Sequence, residues 1–130
     1  MITRTQVGTV FGAALLALAL TQHSTANTAD QMSYLTFSGP VHLPGVTLGA
    51  GTYVFELALP FSERDLVRVL SRDRRISYYM GFTRVVDRPR GLPAGTAASI
   101  GESARNQAPP ITVWWPIGET QGHEFVYSRR

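Results

Sequence analysis

From Thr52 to Leu59 the chain alternates. Tyr53, Phe55, Leu57 and Leu59 fall on one side, Val54, Glu56 and Ala58 on the other, and Pro60 closes the run. Period-two alternation is the signature of a strand whose successive side chains point to opposite faces. Similar short runs recur along the chain. Tyr34 to Phe37 reads as a strand ended by Gly39-Pro40, and Val41 to Leu43 and Val46 to Leu48 flank a Pro44-Gly45 turn. Gly49-Ala50-Gly51 is a tight turn before the strongest strand. Ile111 to Ile117 and Glu124 to Tyr127 are expected as the last two strands, with Ala97 to Gly101 a weaker one. Pro116 has no N–H for a ladder, which places the Trp114-Trp115 strand at an edge or near its end.

The stretch from Ser62 to Leu70 permits two readings. Ser62 and Asp65 have capping-box spacing for a helix, whereas Leu66-Val67-Arg68-Val69-Leu70 carries β-branched residues. The turn-like Arg72-Asp73-Arg74-Arg75 and the β-rich run Ile76 to Val86 follow, so a hairpin is expected. Asp87 to Thr96 and Ser103 to Pro110, rich in turn residues, are loops. Strands separated by turn signals at this spacing predict an all-β fold, a small antiparallel β-sandwich of about seven strands or its barrel-like closure.

The start of the chain departs from this pattern. Arg4 precedes an uncharged, mostly apolar run from Val7 to Leu20, and Ser24 and Ala26 stand at the −3 and −1 positions of a cleavage site. Fourteen helical residues span only about 21 Å, short of the ~30 Å bilayer core. Residues 1–26 are therefore expected to be a signal peptide and residues 27–130 a single β domain, secreted or periplasmic, with no membrane span after cleavage.

Composition narrows the chemistry. The 130-residue chain has no cysteine, which excludes disulfides, thiol nucleophiles and Cys-ligated metals. All 12 of its basic residues are arginine, against 9 acids. So small an excess does not argue for nucleic acid.

Residues 44–57, Pro-Gly-Val-Thr-Leu-Gly-Ala-Gly-Thr-Tyr-Val-Phe-Glu-Leu, resemble the PGVxLxAGTYxFEL core of a group of small exported bacterial proteins without an assigned activity. Members share an Arg-Val-Leu-Ser hairpin, here Arg68 to Ser71, and a C-terminal Gly-His-x-Phe segment, here Gly122 to Phe125. They often carry proline where Gly49 stands. The resemblance implies an exported β domain and brings no catalytic residue. A shorter echo, L-x-A-G-T at Leu48–Thr52 and Leu92–Thr96, reads as a duplicated half-domain or as one turn chemistry used twice.

Few residues suggest a site. Arg68, Arg72, Arg74 and Arg75, with Arg64, crowd the predicted hairpin, and arginine forks match carboxylate and phosphate. The alternative is a solvated turn whose interleaved Glu63, Asp65 and Asp73 cancel part of the charge. Alternation puts Trp115 inward with Ile111, Val113 and Ile117. It leaves Trp114 outside, where it can stack on a sugar or a partner surface, or in the core if both faces of the sheet are covered. After the leader only His42 and His123 remain, without metal-ligand spacing. They would be the first ligands, with Met80 and Glu124, if a metal were bound, but none is expected, nor any cofactor. There is no nucleophile-elbow motif. The expected function is a non-catalytic binding or structural module of the bacterial cell envelope, contacting an anionic polymer or a partner protein. The alternative is a small hydrolase or metal-dependent enzyme on the same sandwich.

Overall fold

The computed structural model describes residues 20–21 and 32–128; the rest of the expected leader lies outside the described residues. The fold is all-β. Its strands are β1 (Leu20–Thr21), β2 (Ser33–Phe37), β3 (Val41–Leu43), β4 (Val46–Leu48), β5 (Gly51–Leu59), β6 (Glu63–Ser71), β7 (Ser77–Asp87), β8 (Ala98–Ile100), β9 (Ile111–Trp114) and β10 (Gln121–Phe125). One antiparallel sheet in the order β1-β2-β5-β6-β7-β10-β9-β8 curls into a half-barrel, and β3 and β4 form a separate two-stranded hairpin.

The expected hairpin from Ser62 to Val86 is present as β6 and β7, and the helical reading of its first half is not realised. Strand β7 has two partners in succession. Residues 77–82 pair with β6, Leu66 lying opposite Phe82, and Thr83 to Asp87 pair with β10. At the changeover the Thr83 hydroxyl donates to the Asp65 carbonyl (2.9 Å).

Alternation on β2, β5 and β6 sends Leu35, Phe37, Tyr53, Phe55, Leu57, Val67 and Val69 to the concave face. There they meet Ile111, Trp114 and Phe125. Phe55 lies 6.1 Å from Trp114 and 6.3 Å from Phe125, ring centre to ring centre, within the range of favourable aromatic pairs. The β3–β4 hairpin turns on Pro44-Gly45. Glycine supplies the left-handed φ of 78° that this two-residue connection needs. Its buried Val41, Leu43 and Leu48 join the same core. Backbone groups tie it down, since the His42 N–H donates to Pro109 O (2.8 Å). The Tyr127 hydroxyl lies 3.0 Å from His42 O and 2.6 Å from Ile111 O.

Several expectations are corrected. Trp114, placed outside by simple alternation, is 0% exposed in the core, its indole N–H directed at Ser33 Oγ (3.2 Å). The register of β9 against β8 shifts between Ile111 and Val113, so Ile111 and Trp114 share the concave face. Val113 and Trp115 are buried on the other face. A shift between Leu57 and Leu59 likewise turns Leu59 away from the core, 49% exposed. The last strand is Gln121–Phe125 rather than Glu124 to Tyr127. Strand β9 is no edge strand, being paired on both sides, although Pro116 does lie just past its end.

Candidate functional site

The arginine-rich hairpin is organised by a residue on the neighbouring strand. Glu56 lies opposite Arg68 in the β5–β6 register. Its side chain points away from Phe55 and is nearly sealed, the residue being 4% exposed. Two of the three Arg68 guanidinium nitrogens, Nε (2.8 Å) and Nη2, donate to Glu56 Oε2. From the turn, Arg74 reaches back. Its Nη1 donates to Oε1 (2.7 Å) and its Nη2 to Oε2 (3.2 Å), while Nη1 also lies 3.2 Å from the Met32 sulfur. Burial pushes the Glu56 carboxyl up, but hydrogen bonds and charge from Arg74 and Arg68 outweigh it and hold the group below the usual carboxylate range. The result is a carboxylate whose two oxygens are occupied by guanidinium forks. At neutral pH it neither gives nor takes a proton.

The turn itself is closely braced. Ser71 N–H donates to Ile76 O and Arg74 N–H to Ser71 O, both at 2.8 Å. Ser71 Oγ donates to Asp73 Oδ1 (2.6 Å) and accepts from the Ile76 N–H (3.0 Å). The Arg75 N–H also donates to Asp73 Oδ1 (3.1 Å). The Ser71 hydroxyl and then the Arg75 N–H pull the Asp73 carboxyl below its usual value. Asp73 is thus engaged by its own turn. Arg74 takes a left-handed φ of 65°, uncommon for a side chain with a Cβ, and this conformation directs it toward Glu56.

The four arginines divide into two pairs. Arg68 and Arg74, expected on an anion-binding rim, grip Glu56 instead, so the idea of Arg74 as a simple solvent-facing turn residue is corrected. Arg72 and Arg75 are exposed, and among the described residues neither guanidinium meets a carboxylate. Trp114 does not join them; it stands in the core against Phe55 and His123 and has no surface to offer. Glu56 is the residue that sequence reasoning passed over, although pairing the two predicted strands would have set it across from Arg68.

The two histidines have separate surroundings. His42 stacks on Tyr127 at 5.7 Å. His123 stacks on Trp114 at 5.2 Å, its Nδ1 3.3 Å from Thr83 Oγ1. Among the described residues no three His, Asp or Glu side chains come together in a way that could hold a metal. The second L-x-A-G-T segment is held by Arg88, whose guanidinium lies over the Trp115 ring and donates to Pro93 O and Thr96 O. The first makes the β4–β5 turn, closed by the Tyr53 hydroxyl on Gly49 O (2.8 Å). The two copies have different surroundings.

No family model matches this chain, and neither does any curated protein or solved structure.

Proposed function

We propose that the protein is an exported, non-catalytic binding module of the cell envelope that meets an anionic polymer through Arg72 and Arg75. The observation that carries this reading is the division of labour in the hairpin. Arg74 and Asp73 are engaged in holding the turn, and the exposed guanidiniums of Arg72 and Arg75 meet no carboxylate among the described residues. A preorganised pair of forks loses little freedom on binding phosphate or carboxylate groups. Such contacts are screened by salt over about 8–10 Å.

The test is the Arg72→Ser/Arg75→Ser double variant on immobilised heparin and on lipopolysaccharide. The expected result is loss of salt-sensitive retention with an essentially unchanged melting temperature. Retention equal to that of the parent protein overturns the reading.

A further inference from the structure

The two edges of the main sheet are unlike. One is β8, three residues long and followed at once by a loop. A short edge strand is a common guard against unwanted pairing. The other ends in the two-residue β1, and next to it β2, Ser33-Tyr34-Leu35-Thr36-Phe37, carries no charge, no proline and no bulge. All five residues of β2 pair with β5 on one side. On the other side only Leu20 and Thr21 are seated among the described residues, opposite Phe37 and Thr36. That two-residue strand belongs to the segment expected to be removed as a leader. Cleavage after Ala26 would remove that two-residue strand from β2.

We propose that the processed protein pairs with a second copy of itself along β2, antiparallel about Leu35. The proposal rests on leader removal, not on the anion-binding reading. The sequence of the strand selects this occupant. About a two-fold axis at Leu35, Leu35 meets its own copy, Tyr34 meets Thr36 and Ser33 meets Phe37. Buried Ser33, Leu35 and Phe37 then stay on the concave side of both sheets, and half-buried Tyr34 and Thr36 stay on the convex side. A slip of one residue would set buried positions against half-buried ones, so burial fixes which residues share a face. Pairing about Leu35 is the register that engages all five residues of the strand. Aromatic–β-branched pairs such as Tyr34–Thr36 are favourable across antiparallel strands, and no like charges oppose. Because the same five residues serve both partners, the interface closes as an isologous dimer. Leu20 and Thr21 already show that this edge accepts an antiparallel, uncharged strand.

The experiment compares the exported protein, recovered from cells and sequenced from its N-terminus, with the full chain retaining residues 1–26, by sedimentation across a concentration series. The processed protein is expected to reach a dimer and the full chain to associate more weakly. Two double variants give the register. Tyr34→Glu/Thr36→Glu sets glutamate against glutamate twice and should weaken dimerisation by about tenfold or more. Tyr34→Lys/Thr36→Glu sets lysine against glutamate at the same positions and should restore it. Both lose the Thr36–Thr52 hydroxyl contact (2.8 Å), so a difference between them does not come from that loss. A processed protein that stays monomeric throughout overturns the proposal, as does equal dimerisation of the two variants or an intact Met1 in envelope material. The series on the unaltered sequence decides the matter even if a variant fails to fold.

Discussion

Trp114 and His123 stack ring on ring as a cross-strand pair of β9 and β10, with 27° between their planes. The Thr83 hydroxyl has one proton, and it goes to the Asp65 carbonyl. His123 Nδ1 therefore carries the hydrogen toward Thr83 Oγ1, and the ring sits neutral against the indole. Burial foremost, with the Arg64 charge second, lowers its pKa to about 4.

A histidine that resists protonation in the fold makes the fold acid-sensitive. Stability from this group is full above the unfolded value of 6.5 and falls as pH drops from there toward 4. Below that both states carry the proton. The shift corresponds to a loss of about 3 kcal/mol across the window. Denaturant titrations at pH 7 and pH 4.5 should show most of that difference. His123→Phe, which keeps a ring on Trp114 but cannot titrate, should flatten it.

Glu56 acts at lower pH. Its depressed carboxyl contributes stability above about 4.3, the ordinary glutamate value, and loses it as pH falls further. Glu56→Gln leaves two half-exposed arginines short of a counter-charge and should cost about 2 kcal/mol at neutral pH. Arg74→Ser should cost a good part of that. Arg72→Ser and Arg75→Ser should each shift stability by less than about 0.5 kcal/mol. Thermal melts of the four single variants check the ranking.

Gly122 has no room for a side chain. A Cβ there would lie 2.3 Å from Trp115 Cε3 and 2.9 Å from the Trp114 carbonyl oxygen. The indole is pinned by its N–H on Ser99 Oγ (2.8 Å) and by Arg88 above the ring. Gly122→Ala should therefore destabilise by roughly 1–3 kcal/mol, and Trp115→Leu in the same chain should recover part of the loss. Denaturant midpoints of the single and double variants measure the coupling.

Tyr127 joins the β3–β4 hairpin to the sheet through one hydroxyl. Tyr127→Phe keeps the stack on His42 but removes the hydroxyl whose one proton faces the nearer Ile111 carbonyl (2.6 Å), with the His42 carbonyl at 3.0 Å. The expected cost is about 1–2 kcal/mol. Faster hydrogen exchange at Val41 to Leu48 than in β5 and β6 would show that the loss is local.

Most strands were legible because their signals were local. Pro44-Gly45 and Pro60 marked turns, and the β-branched run at Val67 to Val69 argued for a hairpin against the capping pattern at Ser62. What failed depended on register. The offset between Ile111 and Val113 comes from pairing with β8, so alternation alone turned Trp114 the wrong way. Gln121-Gly122-His123 fell outside the expected last strand, which began at Glu124; in the fold Gly122 gives its space to Trp115 and His123 packs on Trp114. At the candidate site, the Arg68–Glu56 pair was within reach of strand pairing. The return of Arg74 was not, because it requires a left-handed backbone at a residue that seldom takes one.

Strand β7 sets the order in which the sheet can assemble. Its first half pairs with the strand just before it in the chain, across the Ser71 to Ile76 turn, and can zip as soon as that hairpin closes. Its second half waits for a partner far downstream; Thr83 meets His123 across 40 residues. The two halves of one strand thus differ in how far along the chain their partners lie, with the seam between Phe82 and Thr83. Lesions on either side of that seam should separate kinetically, those before it slowing folding and those after it mainly hastening unfolding.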